Sequence, residues 1–288
     1  MDPSGSVEPL VITSPANPRL KALASLRRRR TRESRGVTLV EGYEELKLAL
    51  AAGARPRSLY YCPALMADLA AQQHVIDDAA AAGAEIFELG QAAFARAAYR
   101  GGPDGFLAVV DTISRRCADL DVPSDALILL CEGVEKPGNL GAMLRTADAA
   151  GVSAVLAAGP VTDWGNPNVV RSSKGTVFSV QVASDSARTT LDWLARHGIP
   201  LVAATPDTKV LHTDISYVGP LAIAVGAEKH GLTAEVLRAA AHRVRIPMVG
   251  QANSLNVSTS AAIIVYEAVR QRGAASTLAG PGVVKSAS

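Results

Sequence analysis

Three stretches of this 288-residue chain gather side chains that ordinary turns do not need. The first is Pro137-Gly138-Asn139-Leu140-Gly141-Ala142-Met143-Leu144-Arg145. An amide and a guanidinium in one loop-to-helix segment can orient a hydroxyl and stabilise negative charge developing on it. The second, Gly226-Ala227-Glu228-Lys229-His230-Gly231, brackets a carboxylate with two glycines, which let backbone approach a ligand closely. The third runs from Ile246-Pro247-Met248 past Gly250 to Asn253-Ser254-Leu255-Asn256-Val257-Ser258. Two asparagines and four hydroxyl residues by Ser260 exceed what helix capping requires. Beside apolar Ile246 and Met248 they suit a ligand with a flat apolar part and polar groups, as an adenosine has. Each stretch alone also admits an ordinary reading: Asn139 as a helix cap, Arg145 paired with Asp148 at i+3, Glu228 as a cap for a helix from Thr233. None is a dinucleotide fingerprint, which needs GxGxxG and a following acid, nor a phosphate loop, which needs GK[ST].

The stretches follow runs that read as buried strands. Residues 126–131, 154–158, 178–182, 200–204 and 221–225 are apolar nearly throughout, the pattern of a parallel sheet flanked by helices. Ligands collect at the carboxyl ends of such strands, which adds Thr205, at the end of the fourth run, to the candidates. Residues 244–248 read as a further short strand, and 258–272 as a last helix with Ala261, Ile264, Val265, Ala268 and Val269 on one side. Ahead of this sheet, apolar runs at 37–40, 58–62, 84–88 and 106–110 alternate with helical stretches at 43–52, 65–82 and 91–97, a small α/β domain. A helix running from Asn17-Pro18-Arg19 to about Arg32 opens it, with Leu20, Leu23 and Leu26 on one face. The domain organisation expected is therefore 1–113 with a loose arm over its first 13 residues, a polar linker at 114–125, a second domain at 126–273, and a flexible tail at 274–288.

Charge is unevenly placed. Eight of the 29 basic residues and only one of the 27 acids fall between Arg19 and Arg35, leaving 21 against 26 elsewhere. Arg19, Arg27, Arg28, Arg29, Arg30 and Arg32 thus form a candidate contact for a phosphate backbone, the other reading being a solvated helix face. Cys62, Cys117 and Cys131 show no CxxC pairing and read as small buried residues of a reduced compartment. The five histidines have no metal-ligand spacing, no apolar run is long enough to span a bilayer, and the amino terminus lacks the features of a signal peptide. A cytoplasmic protein without a metal is the expectation.

In their order, the three stretches are similar to the motifs of the SPOUT methyltransferases, within them the TrmH/SpoU-type RNA ribose 2′-O-methyltransferases. The resemblance covers about 127–272, and Asn17-Pro18-Arg19 with Glu41-Gly42 looks like the family's substrate-binding domain. It implies a ribosomal-protein-like α/β RNA-binding domain before a parallel α/β domain tied in a trefoil knot, a rare exception to unknotted chains. It also implies S-adenosylmethionine as cofactor, a homodimer, and an RNA substrate, with 23S rRNA favoured over tRNA and the antibiotic-resistance members of avilamycin type nearest in character. By the same resemblance Arg145 is the catalytic arginine, with Asn139, Glu228, Asn256 and Ser254 assisting. Thr205, Gly226, Glu228, Gly231, Ile246, Met248, Gly250, Ser254, Leu255, Asn256 and Ser258 surround the cofactor. Two rivals are a non-catalytic RNA-binding protein on the same scaffold and a nicotinamide dehydrogenase, the second opposed by the missing GxGxxG.

Overall fold

A computed structural model describes residues 9–99, 101–113 and 115–278, with side chains up to residue 274. The chain forms two compact units. The first comprises Met1–Ser114, Lys136–Arg145 and Thr162–Ser179, and the second Arg115–Glu135, Thr146–Val161 and Val180–Ser288.

In chain order the first unit begins with β1 (Leu10–Ile12), α1 (Pro18–Ser25), α2 (Arg29–Arg35), β2 (Val37–Glu41) and α3 (Tyr43–Ala51). It continues with β3 (Pro56–Tyr61), α4 (Leu69–Ala81), β4 (Glu85–Leu89), α5 (Gln91–Ala97) and β5 (Phe106–Asp111). The sheet order is β1-β4-β3-β5-β2, with β5 antiparallel to both neighbours and the other pairs parallel. Leu20, Leu23, Leu26, Leu39, Phe94 and Leu107 build its core. Part of the expected loose arm is β1, paired with β4 from Leu10↔Phe87 to Ile12↔Leu89, because Val11 and Ile12 favour extended backbone at an open sheet edge; the first eight residues lie outside the described ones.

The single helix expected to reach Arg32 is two helices. Arg28 takes an extended conformation, and α1 closes with Leu26 N–H on Leu23 O at 3.0 Å. A continuous helix would set the like charges of Arg27 and Arg30 at i+3, and of Arg28 and Arg32 at i+4, beside each other. The break instead lets Arg32, only 2% exposed, turn its guanidinium back onto the carbonyls of Leu26 and Arg27 and onto Asp163 at 2.7 Å. All five residues of edge strand β2 are buried. Helix α7 (Pro167–Ser172) packs against it, and the Thr38 hydroxyl donates to the Gly165 carbonyl.

The second unit contains β6 (Leu127–Glu132), β7 (Ala154–Ala158), β8 (Val182–Asp185), α8 (Ala187–Arg196) and β9 (Leu201–Ala204). It ends with β10 (Leu221–Val225), α9 (Ala234–Ala239), β11 (His242–Val244) and α10 (Val257–Leu278). Helix α6 (Pro137–Ala150) starts in the first unit and finishes in the second. The six strands run in the order β11-β9-β10-β6-β7-β8, all parallel as the apolar runs imply.

Four sequence expectations shift here. The strand expected at 178–182 starts only at Val182, because Phe178 and Ser179 N–H groups close turns on Gly175 and Thr176. The strand expected at 244–248 lies at 242–244, ahead of Pro247, which has no N–H to give a ladder. Cys117 and Leu120, in the expected linker, are buried in the unit's core beside Trp193; Ser114 lies outside the described residues. Helix α10 continues through Gly273 to Leu278, into the expected tail, and 279–288 lie outside the described residues.

Candidate active site

Strand register sets the geometry. Val244 pairs with Ala204, Ala203 with Ala224, and Val225 with Cys131, so β11, β9, β10 and β6 finish side by side at one edge of the sheet. The loops after them therefore leave from adjacent points, and Thr205 N–H donates to Val244 O at 2.9 Å across two of them. After β10 the chain folds back at once: Gly231 N–H donates to Ala227 O at 2.8 Å with Gly231 in the left-handed region at φ 65°. A Cβ on Gly226 would run into the backbone of Gly231 and Leu232. Gly226 is thus required by the loop itself, and its carbonyl and amide stay at the sheet edge.

Glu228 does not cap the following helix. Thr233 does, its side chain accepting from Val236 N–H, while Glu228 is exposed. The buried Glu132, at the end of β6, accepts from both Thr233 N–H and Thr233 Oγ1–H at 2.7 Å. Glu132 pins α9 beside the Gly226 loop, a role the sequence did not disclose, since an acid ending an apolar run looks like any exposed strand terminus.

The third stretch combines both characters expected of it. Ile246, Met248 and Leu255 are half-buried, whereas Val249 is 99% exposed and Gly250 and Ser254 lie on the surface. Asn256 Oδ1 accepts from Ser258 N–H at 2.9 Å and Ser258 Oγ–H at 2.6 Å, tying these two candidates together at the start of α10.

Within the first unit, α6 begins at Pro137, which places Asn139 inside the first turn rather than at the cap, 9% exposed. Leu140, Met143 and Leu144 are buried, and a Cβ on Gly141 would collide with Ser172, so this glycine lets α6 and α7 approach. Gly138, Ala142 and Arg145 share the opposite stripe, facing an open depression of about 660 Å³ that Arg171 and Lys174 also line. The Arg145 side chain is exposed, with no hydrogen bond or ion pair among the described residues, so it is not paired with Asp148.

The basic run divides by role. Arg32 is buried against carbonyls and Asp163, which removes it from the side chains offered to a phosphate. Arg27 reaches Ala98 O and lies over the Tyr99 ring, Arg29 pairs with Glu33, and Arg19 lies over Phe87 and contacts Glu85. Arg28 and Arg30 are exposed without partners among the described residues. All three cysteines are free and buried, and desolvation pushes the Cys131 thiol up to about 12 and Cys117 to about 11, so neither is a thiolate nucleophile near neutrality. Among the described residues no cluster of His, Cys, Asp and Glu could hold a metal, and no helix is long and apolar enough to cross a membrane.

The chain is similar to known proteins. Residues 126–266 match the SpoU rRNA methylase family, and residues 17–108 the MRM3-like substrate binding domain. An uncharacterized tRNA/rRNA methyltransferase of Synechocystis sp. is 32% identical over 92% of this chain and 96% of its own. The chain belongs to the SpoU rRNA methylase family. This SpoU methylase is also similar to the crystal structure of an RNA 2′-O ribose methyltransferase, with 44% identity and a TM-score of 0.80 over 91% of this chain and 99% of that one. An AdoMet-bound rRNA methyltransferase from Sinorhizobium meliloti has a TM-score of 0.83 at 27% identity, over 90% and 97% of the two chains. Two curated relatives, each 36% identical over part of the chain, differ in substrate. One is a 23S rRNA (uridine(2479)-2′-O)-methyltransferase of Streptomyces viridochromogenes, matched over 57% of this chain and 60% of its own. The other is a tRNA (guanosine(18)-2′-O)-methyltransferase of Escherichia coli, matched over 59% and 71%. As a SpoU methylase, the protein is an enzyme, which disposes of the dehydrogenase and non-catalytic readings.

Proposed function

We propose that this SpoU methylase transfers the methyl group of S-adenosylmethionine to a ribose 2′-hydroxyl of RNA, with 23S rRNA its substrate rather than tRNA. The observation that carries the reading is the row of strand ends from β11 to β6, which presents Thr205, the Gly226 loop and the Ile246 stretch together. The donor set there fits the cofactor: backbone groups of Thr205, Gly226 and Ile246 for an adenine edge, half-buried Ile246, Met248 and Leu255 for its faces, and Gly231, Gly250, Ser254, Asn256 and Ser258 around the polar remainder. When bound, S-adenosylmethionine supplies an electrophilic methyl.

The chain's own task is to make a weakly acidic hydroxyl nucleophilic. A guanidinium with its pKa above ~12 is a poor resting base, so Arg145 orients the hydroxyl and stabilises the charge that develops on it. Asn139 supports Arg145, and Glu228 with Asn256 and Ser254 positions the substrate. The substrate-binding domain contributes Arg19, Arg27, Arg28, Arg29 and Arg30 to RNA, through sequence-independent phosphate contacts. The same reading carries a homodimer, a trefoil knot in the second unit and a cytoplasmic location. Antibiotic resistance as the benefit rests on likeness to the avilamycin-resistance type. Support for the knot is that the segment after β11 runs beside the long β9–β10 connection, with Arg245 N–H on Val210 O at 2.9 Å and His212 N–H on Arg245 O at 2.9 Å.

The test is to map 2′-O-methylation across total RNA from cells with the protein, without it, and with Arg145→Ala. One rRNA nucleotide should lose its methyl in the second and third cases, while calorimetry shows the variant still binding S-adenosylmethionine. Full methylation by the variant would remove Arg145 from the mechanism, and loss of a tRNA methyl instead would reassign the substrate.

A further inference from the structure

Three cations face the depression beside α6, and the proposed chemistry uses only Arg145. Arg171 is exposed at the end of α7, and its guanidinium, like that of Arg145, has no hydrogen bond or ion pair among the described residues. Lys174 is the sole non-glycine residue with a positive φ, 56°, among the described residues. That left-handed conformation, common just past a helix end and adopted freely by glycine, costs a lysine some strain, and here it carries the side chain to the rim of the depression. The turn is held from below. Ser173 is fully buried with Oγ–H on Val170 O at 2.9 Å, Lys174 N–H donates to Arg171 O at 3.0 Å, and a Cβ on Gly175 would meet Glu45 O at 2.8 Å. Glu45, 3% exposed, steadies the ammonium at 3.4 Å, while the lysine side chain remains 61% exposed at the rim. Gly101, Gly102, Gly138, Ala142 and Ser172 complete the lining, so apart from the three cations only small residues border the space.

Two unpaired guanidiniums and an anchored ammonium around an open, small-residue lining match a phosphodiester, which guanidinium forks grip in two hydrogen bonds. We propose that Arg171 and Lys174 clamp the phosphate next to the target ribose and so deliver its 2′-hydroxyl to Arg145. This rests on the RNA methyltransferase reading above. Arg171 and Lys174 are positioning residues; they hold the strand and take no part in the transfer.

The experiment uses the full chain and two readouts. Arg171→Gln is made alone and with Lys174→Gly plus Glu45→Gln, the glycine suiting the backbone and the glutamine sparing a buried carboxylate without its partner. Binding of a short fluorescein-labelled single-stranded RNA is followed by anisotropy across salt concentrations. The slope of log K against log salt should fall by about 0.7 for each cation removed, and Arg171→Lys should restore its share. In methyl transfer to total RNA from cells lacking the protein, KM for RNA should rise about tenfold with kcat within about twofold, the pattern of lost uniform binding. Retained S-adenosylmethionine binding by calorimetry shows the variants are folded. An unchanged salt slope and KM in the combined variant would overturn the clamp. If the wild-type chain transfers no methyl to RNA yet the variants lose slope, the clamp stands and the methyltransferase reading falls.

Discussion

Gly226 and Arg145, both assigned to the proposed site, differ in what folding asks of them. Gly226 is required by its surroundings: any Cβ there meets backbone of Gly231 and Leu232, which cannot swing aside as a side chain would. Gly226→Ala should therefore destabilise by about 1–3 kcal/mol, the usual cost of overpacking, and weaken S-adenosylmethionine binding through the displaced loop. A melting curve and a calorimetric titration check both, and wild-type affinity would show that the loop plays no part in the cofactor site. Arg145 has the opposite character, an exposed cation that folding does not use. Its loss should leave stability within about 0.5 kcal/mol, as for surface substitutions generally, so that stability and activity separate cleanly. The arginines near the amino terminus show why residue type alone misleads. Arg32 and Arg30 are two positions apart, yet one is enclosed by carbonyls and Asp163 and the other is free in solvent.

Among the elements, α10 fastens the long β9–β10 connection. Glu267 accepts from Arg270 at 2.7 Å and from Gln271 at 2.8 Å, while Gln271 donates to Ile215 O at 3.1 Å and accepts from Tyr217 N–H at 2.9 Å. The hydrogen bonds from Arg270 and then Gln271 hold the Glu267 carboxyl at about 2, below its ordinary 4.5. A carboxyl depressed on folding adds stability that is complete above about 4.5 and disappears as pH falls toward about 2. Glu267→Gln should thus lower the melting temperature at neutrality, with the deficit shrinking as pH falls from about 4.5 toward about 2, so that the acid limb flattens. An unaltered acid limb would show that the carboxylate is not coupled to folding. Elements of this sheet were legible where burial on both faces makes every residue apolar, as in β7 and β10. The α1–α2 break was not, because it depends on Arg32 meeting an acid 131 positions away, and neither was the Glu132–Thr233 tie across 101 positions. The loops of the candidate site could be read from composition; the hydrogen bonds that shape them could not.

For the molecule as a whole, the chain passes from the first compact unit to the second after residue 114, near the division composition suggests, and then returns to the first unit twice. The first unit includes Lys136–Arg145 and Thr162–Ser179, and without them β2 loses the cover of α7 while Arg32 loses Asp163. A fragment ending at Ser114 should consequently lack a cooperative thermal transition and bind a hydrophobic dye. A sharp melt by circular dichroism would show that β2 needs no such cover. This interleaving has a consequence in time as well. During synthesis the first five-stranded sheet is chemically complete at Asp111, but its last cover ends at Ser179. At roughly 5–20 residues per second, the intervening stretch takes about 3–14 s to be made, far longer than a hairpin or helix needs to form. Through that interval an apolar strand edge waits on the ribosome, and slowing or speeding translation between those two points is the lever that would decide how much of the newborn chain aggregates.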